Sequence, residues 1–238
     1  MWRRPGHGRR TGGQRFAISC LSALLLLAIV APLGNAAWTT PIDVGPGQAA
    51  LQPQVAVGET GAVFTWHLPG PQGLAQTRTR SWSGALSSIQ GLSVYGGESG
   101  GVGFDPDVAV DDSGAAVYAW GQYKQPGDSE PRVQARRRLA GGALSPIRNL
   151  SPILGGVDNI HVDVDSEGDA VAVWEADMGT FHQIQARTWS ADGVRGPLLG
   201  LSLPGQDATR PGVALDAAGN AVFTWQRLDG TSYRAEAR

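Results

Sequence analysis

Apolar and polar residues alternate with a period of two through a stretch that occurs four times in the chain. Residues 106–120, PDVAVDDSGAAVYAW, show it fully: Val108 and Val110 alternate with Asp107 and Ala109, an acidic turn closes at Gly114, and Ala116 to Trp120 carry apolar and aromatic side chains. Residues 160–174 (IHVDVDSEGDAVAVW) and 211–225 (PGVALDAAGNAVFTW) repeat the pattern, and residues 53–66 (PQVAVGETGAVFTW) repeat it one residue shorter. A period of two marks strand rather than helix. Asp suits the first position of a type I turn, and Gly accepts the positive φ of a tight reversal, so each repeat predicts a β-hairpin. The second strand is apolar on both faces, Ala116, Tyr118 and Trp120 on one and Val117 and Ala119 on the other. That pattern predicts a sheet covered on both sides.

Two more strands follow each hairpin. Gln76-Thr77-Arg78, Gln134-Ala135-Arg136, Gln185-Ala186-Arg187 and Glu236-Ala237-Arg238 read as matching third strands, and LSSIQGLS from Leu86, LSPIRNLS from Leu144 and RGPLLGLS from Arg195 as fourth strands. The repeat tryptophans, Trp66, Trp120, Trp174 and Trp225, are spaced by 54, 54 and 51 residues. Four antiparallel strands at a period near 50 predict an all-β fold, a β-propeller of four blades. The repeats run about 53–105, 106–159, 160–210 and 211–238. The last stops in its third strand, and Trp38 to Val44 reads as an orphan fourth strand. The expected closure is a ring in which residues 38–44 join the last blade and leave no free sheet edge. A chain whose ring closes is expected to be a monomer; an open arc is expected to complete itself as a homo-oligomer.

The first 36 residues stand apart from this pattern. Arg3, Arg4, Arg9, Arg10 and Arg15 precede the apolar run from Phe16 to Val30, and Gly34 and Ala36 supply small residues at the exit. This order predicts a secretory signal peptide, 1–36, ahead of a single domain, 37–238, and hence a secreted, extracytoplasmic protein. Cys20 lies in the leader, so the remainder has no cysteine and no disulfide. With those five arginines taken from 19 basic residues, against 21 acidic ones, the remainder carries a formal charge of −7. That excess argues against nucleic acid as a partner and, once the leader is cleaved, against a membrane.

The V-D-x-x-G-x-A-V-x-x-W repeat resembles the repeats of secreted bacterial β-propeller proteins, and the resemblance covers residues 38–238. The joined ends are similar to the strand sharing of WD-repeat propellers, but after the leader there is no Trp-Asp dipeptide and no Gly-His pair. The turns also resemble the Asp-box of sialidases, S-x-D-x-G-x-T-W, with two residues between Asp and Gly here in place of one. The resemblance implies a propeller and export, and no reaction.

Motifs with chemical potential each have a plainer reading. Gly97-Glu98-Ser99-Gly100-Gly101 fits G-x-S-x-G, but Val102-Gly103-Phe104-Asp105-Pro106 cannot form the helix a nucleophile elbow needs. Asp163, Asp165, Glu167, Gly168 and Asp169 resemble the start of a calcium loop, yet its twelfth position is Trp174 where a bidentate Glu is wanted. His67, His161 and His182 fall in different repeats with no metal or triad spacing, and read as loop or surface residues. Arg136-Arg137-Arg138 alternates across a strand and reads as a solvated edge. The four repeat tryptophans read as core between blades.

No cofactor or metal is implied. The loops after the repeat tryptophans differ most between blades, so His67, Tyr123, Glu175 and Arg227 are candidate ligand contacts. Trp82 and Trp189, less regularly placed, are candidate stacking platforms. These residues lead to the expectation of a secreted, non-enzymatic module that binds a macromolecule, protein or glycan. The alternatives are a carbohydrate-binding lectin, or a secreted glycoside hydrolase or lyase with acidic residues gathered at the central channel.

Overall fold

Each acidic turn reverses the chain between two paired strands, and each hairpin starts a separate sheet. In a computed structural model, residues 40–45, 50–69, 76–93, 102–123, 130–153 and 155–238 are described. The chain divides into two units, Met1–Pro41 and Ile42–Arg238. Among the described residues the strands lie in the second: β1 (Leu51–Gly58), β2 (Gly61–Leu68), β3 (Gln76–Trp82), β4 (Gln90–Gly91), β5 (Gly103–Val110), β6 (Ala116–Gln122), β7 (Arg132–Arg138), β8 (Arg148–Asn149), β9 (Gly156–Val164), β10 (Ala170–Asp177), β11 (His182–Trp189), β12 (Leu199–Gly200), β13 (Ala208–Leu215), β14 (Ala221–Asp229) and β15 (Ser232–Ala237). They form four antiparallel sheets in strand order, β1–β4, β5–β8, β9–β12 and β13–β15. This is the all-β, propeller-like arrangement the repeat predicts.

The turn aspartates act through their carboxylates. Asp165 Oδ1 accepts the amides of Glu167 (3.0 Å) and Asp169 (2.8 Å), and Asp216 Oδ1 accepts those of Ala218 and Asn220 (both 2.9 Å). Their backbone carbonyls accept the amides of Gly168 and Gly219. The calcium-like run is therefore occupied by backbone bonds, with Asp163 Oδ2 taking the Leu215 amide (2.7 Å) and Asp169 Oδ1 that of Ala191 (2.8 Å). Gly114, at φ +80°, is needed twice over: a Cβ there would also stand 2.3 Å from Thr60 Oγ1 in the preceding sheet.

The sheets stack face to face through three apolar clusters. All four repeat tryptophans are buried. Trp120 packs with Val63 of the first sheet, Trp174 with Ala119 of the second, and Trp225 with Val173 of the third, so each faces the preceding sheet. The inner strands follow one another, β1 against β5, β5 against β9 and β9 against β13; among the described residues no comparable packing joins β13 to β1.

Two of the expectations change in detail. The fourth strands pair over only two residues each. Closure by residues 38–44 is not shown: Trp38 and Thr39 lie outside the described residues, 42–45 form no strand, and among the described residues the last sheet has three strands. The third-strand alignment slips by two in the first sheet. Trp66 pairs with Arg78, where the later tryptophans pair with Gln134, Gln185 and Glu236, so Arg80 rather than Arg78 matches Arg136 and Arg187.

The arginine run is likewise not a solvated edge. Arg137 is buried, donates to the Trp189 carbonyl (2.8 Å) and lies 4.6 Å from the centre of that indole. Arg136 donates to Ser145 O (2.5 Å) and across to Leu92 O (3.2 Å). Both tie neighbouring sheets together, because the next sheet covers the face that carries Arg137 and the Leu92 carbonyl lies within reach of Arg136. The G-x-S-x-G run lies outside the described residues.

Candidate active site

Near its start, each inner strand is interrupted by a bulge, and the residue just before the repeat motif is forced into a left-handed backbone. Gln52, Asp105, Asn159 and Arg210 have φ of 50°, 46°, 49° and 53°. Proline follows three of them, at 53, 106 and 211, and disfavours right-handed α backbone in the residue before it. Such conformations cost on the order of 1–3 kcal/mol each and gather at functional sites.

These four residues are tied together across the sheets at one end of the inner strands. The Asp105 amide donates to Gln52 Oε1 (3.0 Å), and the Asn159 amide to Asp105 Oδ2 (2.8 Å). Asn159 Nδ2 reaches Glu175 Oε2 (3.0 Å), which also accepts the Arg210 amide (3.2 Å). Glu175 is buried at the end of β10. Its other oxygen stands 3.8 Å from His182 Nε2, while His182 Nδ1 and Asp207 Oδ1 are 2.8 Å apart. Asp158, next to Asn159, and Asp177, which pairs with His182 across β10 and β11, complete the acidic group.

This crowding shifts the pKa values. Loss of water raises the Asp158 pKa, and the like charges of Asp105, Glu175 and Asp177 raise it further. Burial opposes charge on His182, but its bond to Asp207 and the nearby Glu175 outweigh that and raise its pKa, while the bonds from His182 lower that of Asp207. His161 is raised chiefly by its bond to Asp107. Two clefts meet here with Asn159 in both walls. One of about 430 Å³ is bounded by Glu175, Arg210, Gln226 and Tyr233, and one of about 210 Å³ by Gln52, Asp105 and His161.

The expected contacts divide between two ends of the sheets. Glu175 is at the site. His67 stands at the same end of β2, half-buried, its pKa lowered by burial and partly restored by Asp105. Tyr123 packs on Phe104 at 5.0 Å between ring centres, and its pKa is raised by burial and by Asp158. Arg227 is held by Glu236 (2.5 Å). Trp82 and Trp189 pair with Ala62 and Ala170 at the opposite, hairpin end. Trp82 is exposed, but Trp189 is buried under Arg137 and offers no face to a ligand. His161 and His182, expected as unrelated surface residues, both lie in this network.

No family model matches the chain and no curated protein matches its sequence. Solved structures do match its fold. A Penicillium chrysogenum α-L-arabinanase complexed with arabinobiose is similar with a TM-score of 0.59 and 12% identity, over 79% of this chain and 61% of that one. An α-L-arabinofuranosidase of Fusarium graminearum gives 0.55 and 11%, over 79% and 61%. A Hadza microbial sialidase gives 0.55 and 12%, over 80% and 44%. The chain thus spans roughly half of these structures' lengths, and the likeness is one of fold.

These findings correct the expectation of a non-enzymatic binding module. The solved structures similar in fold are glycoside hydrolases, and Asp105, Glu175 and Asp207 lie together at one end of the inner strands. Asp105, Asp158, Asn159, Asp207 and Arg210 were missed as site residues. A signal existed: the position immediately before each motif, usually followed by proline, is polar in all four repeats.

Proposed function

We propose that the protein is a secreted glycoside hydrolase acting on an uncharged glycan at the Asp105–Asp158–Glu175 end of the sheets. The carrying observation is that Asp105, Asp158 and Glu175 gather at one end of a fold similar to that of glycoside hydrolases, where neighbouring carboxylates and partial burial raise the Asp158 pKa. Glycoside hydrolysis needs this division between a carboxylic acid that protonates the leaving oxygen and a carboxylate that attacks or activates water. Asp158 takes the acid role. Asp105, in the wall of the neighbouring cleft with the Asn159 amide on one oxygen and the Gln52 side-chain amide on the other, takes the base or nucleophile role. Glu175 is a positioning residue: buried, it holds Asn159 and the Arg210 amide in place.

Charge supports an uncharged substrate. Asp105, Glu175, Asp177 and Asp207 gather at this end and outnumber His182 and Arg210, so a sugar carboxylate would meet net repulsion even with Asp158 protonated. The similar folds include an arabinanase and a sialidase, and this balance favours the neutral class. The leader, with its basic start, apolar run and small-residue exit, supports export.

The test is hydrolysis of a panel of chromogenic glycosides and polysaccharides, including arabinans and sialosides, by wild type, Asp158→Asn and Asp105→Asn. Wild type should cleave neutral substrates, and each variant should lose about 10²–10⁴-fold in kcat with its fold intact by circular dichroism. Folded wild type inert on the whole panel, or variants as active as wild type, would refute the reading.

A further inference from the structure

The residues that end the third strands differ between sheets, and with them the filling of each boundary. Ala62, Ala116 and Ala170 pair with Trp82, Arg138 and Trp189, and the next residues, Val63, Val117 and Val171, pair with Ser81, Arg137 and Thr188. Between the second and third sheets these two positions supply Trp189 and Arg137, and the guanidinium lies on the indole. Asp111, Asp165, Asp169 and Asp192 surround it with negative charge. Between the first and second sheets the same positions supply Arg138 and Ser81. The short serine leaves a cleft of about 190 Å³, bordered by Thr60, Ser81, Ser83, Val110, Ala140 and Arg138. Strand alternation puts Arg138 on the face of β7 that meets the first sheet, since its partner Ala116 packs with Val63. A carboxylate is missing as well: Gly58 stands where the second turn has Asp111. Arg138 makes no ion pair among the described residues, and its Nε has no hydrogen-bond partner there. It lies beside the Tyr118 hydroxyl, which bonds to Thr79 (2.9 Å).

We propose that this cleft binds a small organic carboxylate, one ring in size, with its carboxylate on Arg138 and its ring against Val110 and Ala140. An unpaired guanidinium matches a carboxylate, and the hydroxyls of Thr60, Ser81 and Ser83 stand by as further donors. The volume, below the ~300 Å³ at which sites for drug-sized ligands begin, limits the ligand to a single ring. The next boundary shows the complement the protein itself uses: a planar ring and an acceptor oxygen, both from Trp189, meet Arg137 there. A free aromatic acid and the uronic acid end of a glycan share this chemistry. The cleft lies at the hairpin end of the sheets, away from Asp105 and Glu175, whose charge would repel the same ligand.

Isothermal titration calorimetry of the folded protein with benzoate, glucuronate, benzyl alcohol and glucose tests this. One-to-one binding of benzoate, glucuronate or both is expected, with no binding of the two uncharged probes. Benzoate alone would identify free aromatic acids as the source, and glucuronate alone a glycan end. Arg138→Gln should weaken binding about 10–100-fold. Ser81→Leu, which fills the cleft and leaves Arg138 in place, should abolish it, and Asp158→Asn should leave it unchanged. Failure of both acids to bind, equal binding of the uncharged probes, loss of binding in Asp158→Asn, or a folded variant at either cleft position that binds as wild type would each overturn the proposal.

Discussion

At the scale of single residues, proton positions carry the chemistry. To act as the proposed acid Asp158 must be protonated, so activity should fall as pH rises through its raised pKa. Asp158→Asn should abolish the alkaline limb along with most of the rate. His182 and Asp207 make a separate prediction about stability. The raised His182 contributes fully below its unfolded value and loses that contribution as pH rises through its folded pKa. The lowered Asp207 contributes fully above its unfolded value and loses it as pH falls through its folded pKa. Both are complete between about pH 4 and pH 6.5. Asp207→Asn should therefore lower the melting temperature more at pH 5.5 than at pH 8.5; an equal loss at both would show that the pair contributes no charge. Neither pair was readable from spacing: His182 and Asp207 are 25 residues apart and meet only because β11 and β13 lie in adjacent sheets.

At the scale of elements, the hairpins were legible because their chemistry is local. An aspartate binding amides two and four residues on, and a glycine three residues on, specify a turn without help from elsewhere. The slip of Arg78 was not legible, since the first repeat is one residue short and its loop differs in length, and pairing across β2 and β3 decides register. The burial of Arg137 was equally hidden, because strand alternation does not reveal that the next sheet covers that face. Glycine substitutions separate these effects. Gly114→Ala places a Cβ both at φ +80° and against Thr60. It should cost about 1–3 kcal/mol in urea unfolding. Gly142→Ala, at φ +88° with open space around it, should cost about 1 kcal/mol from the backbone alone. Equal costs would remove Thr60 from the account. Trp174→Ala, at a wholly buried position between the second and third sheets, should cost about 3–5 kcal/mol.

At the scale of the whole molecule, stacking sheets brings the starts of four inner strands to one end, and there residues from different repeats become one site. Their differences, Gln52, Asp105, Asn159 and Arg210 at one repeated position, set this end apart on a scaffold that otherwise repeats itself. Sequence reading found the scaffold through what the repeats share, and found Glu175 through what they do not. It missed the bulge because the position lies one residue outside the shared motif. The central claim is that Asp158 protonates a glycosidic oxygen. The most direct test compares Asp158→Asn with wild type on glycosides of poor and of good leaving groups. The account predicts a loss of about 10²–10⁴-fold on an unactivated glycoside and little loss on a dinitrophenyl glycoside, whose departure needs no proton. Equal losses on both, or none on either, would contradict it.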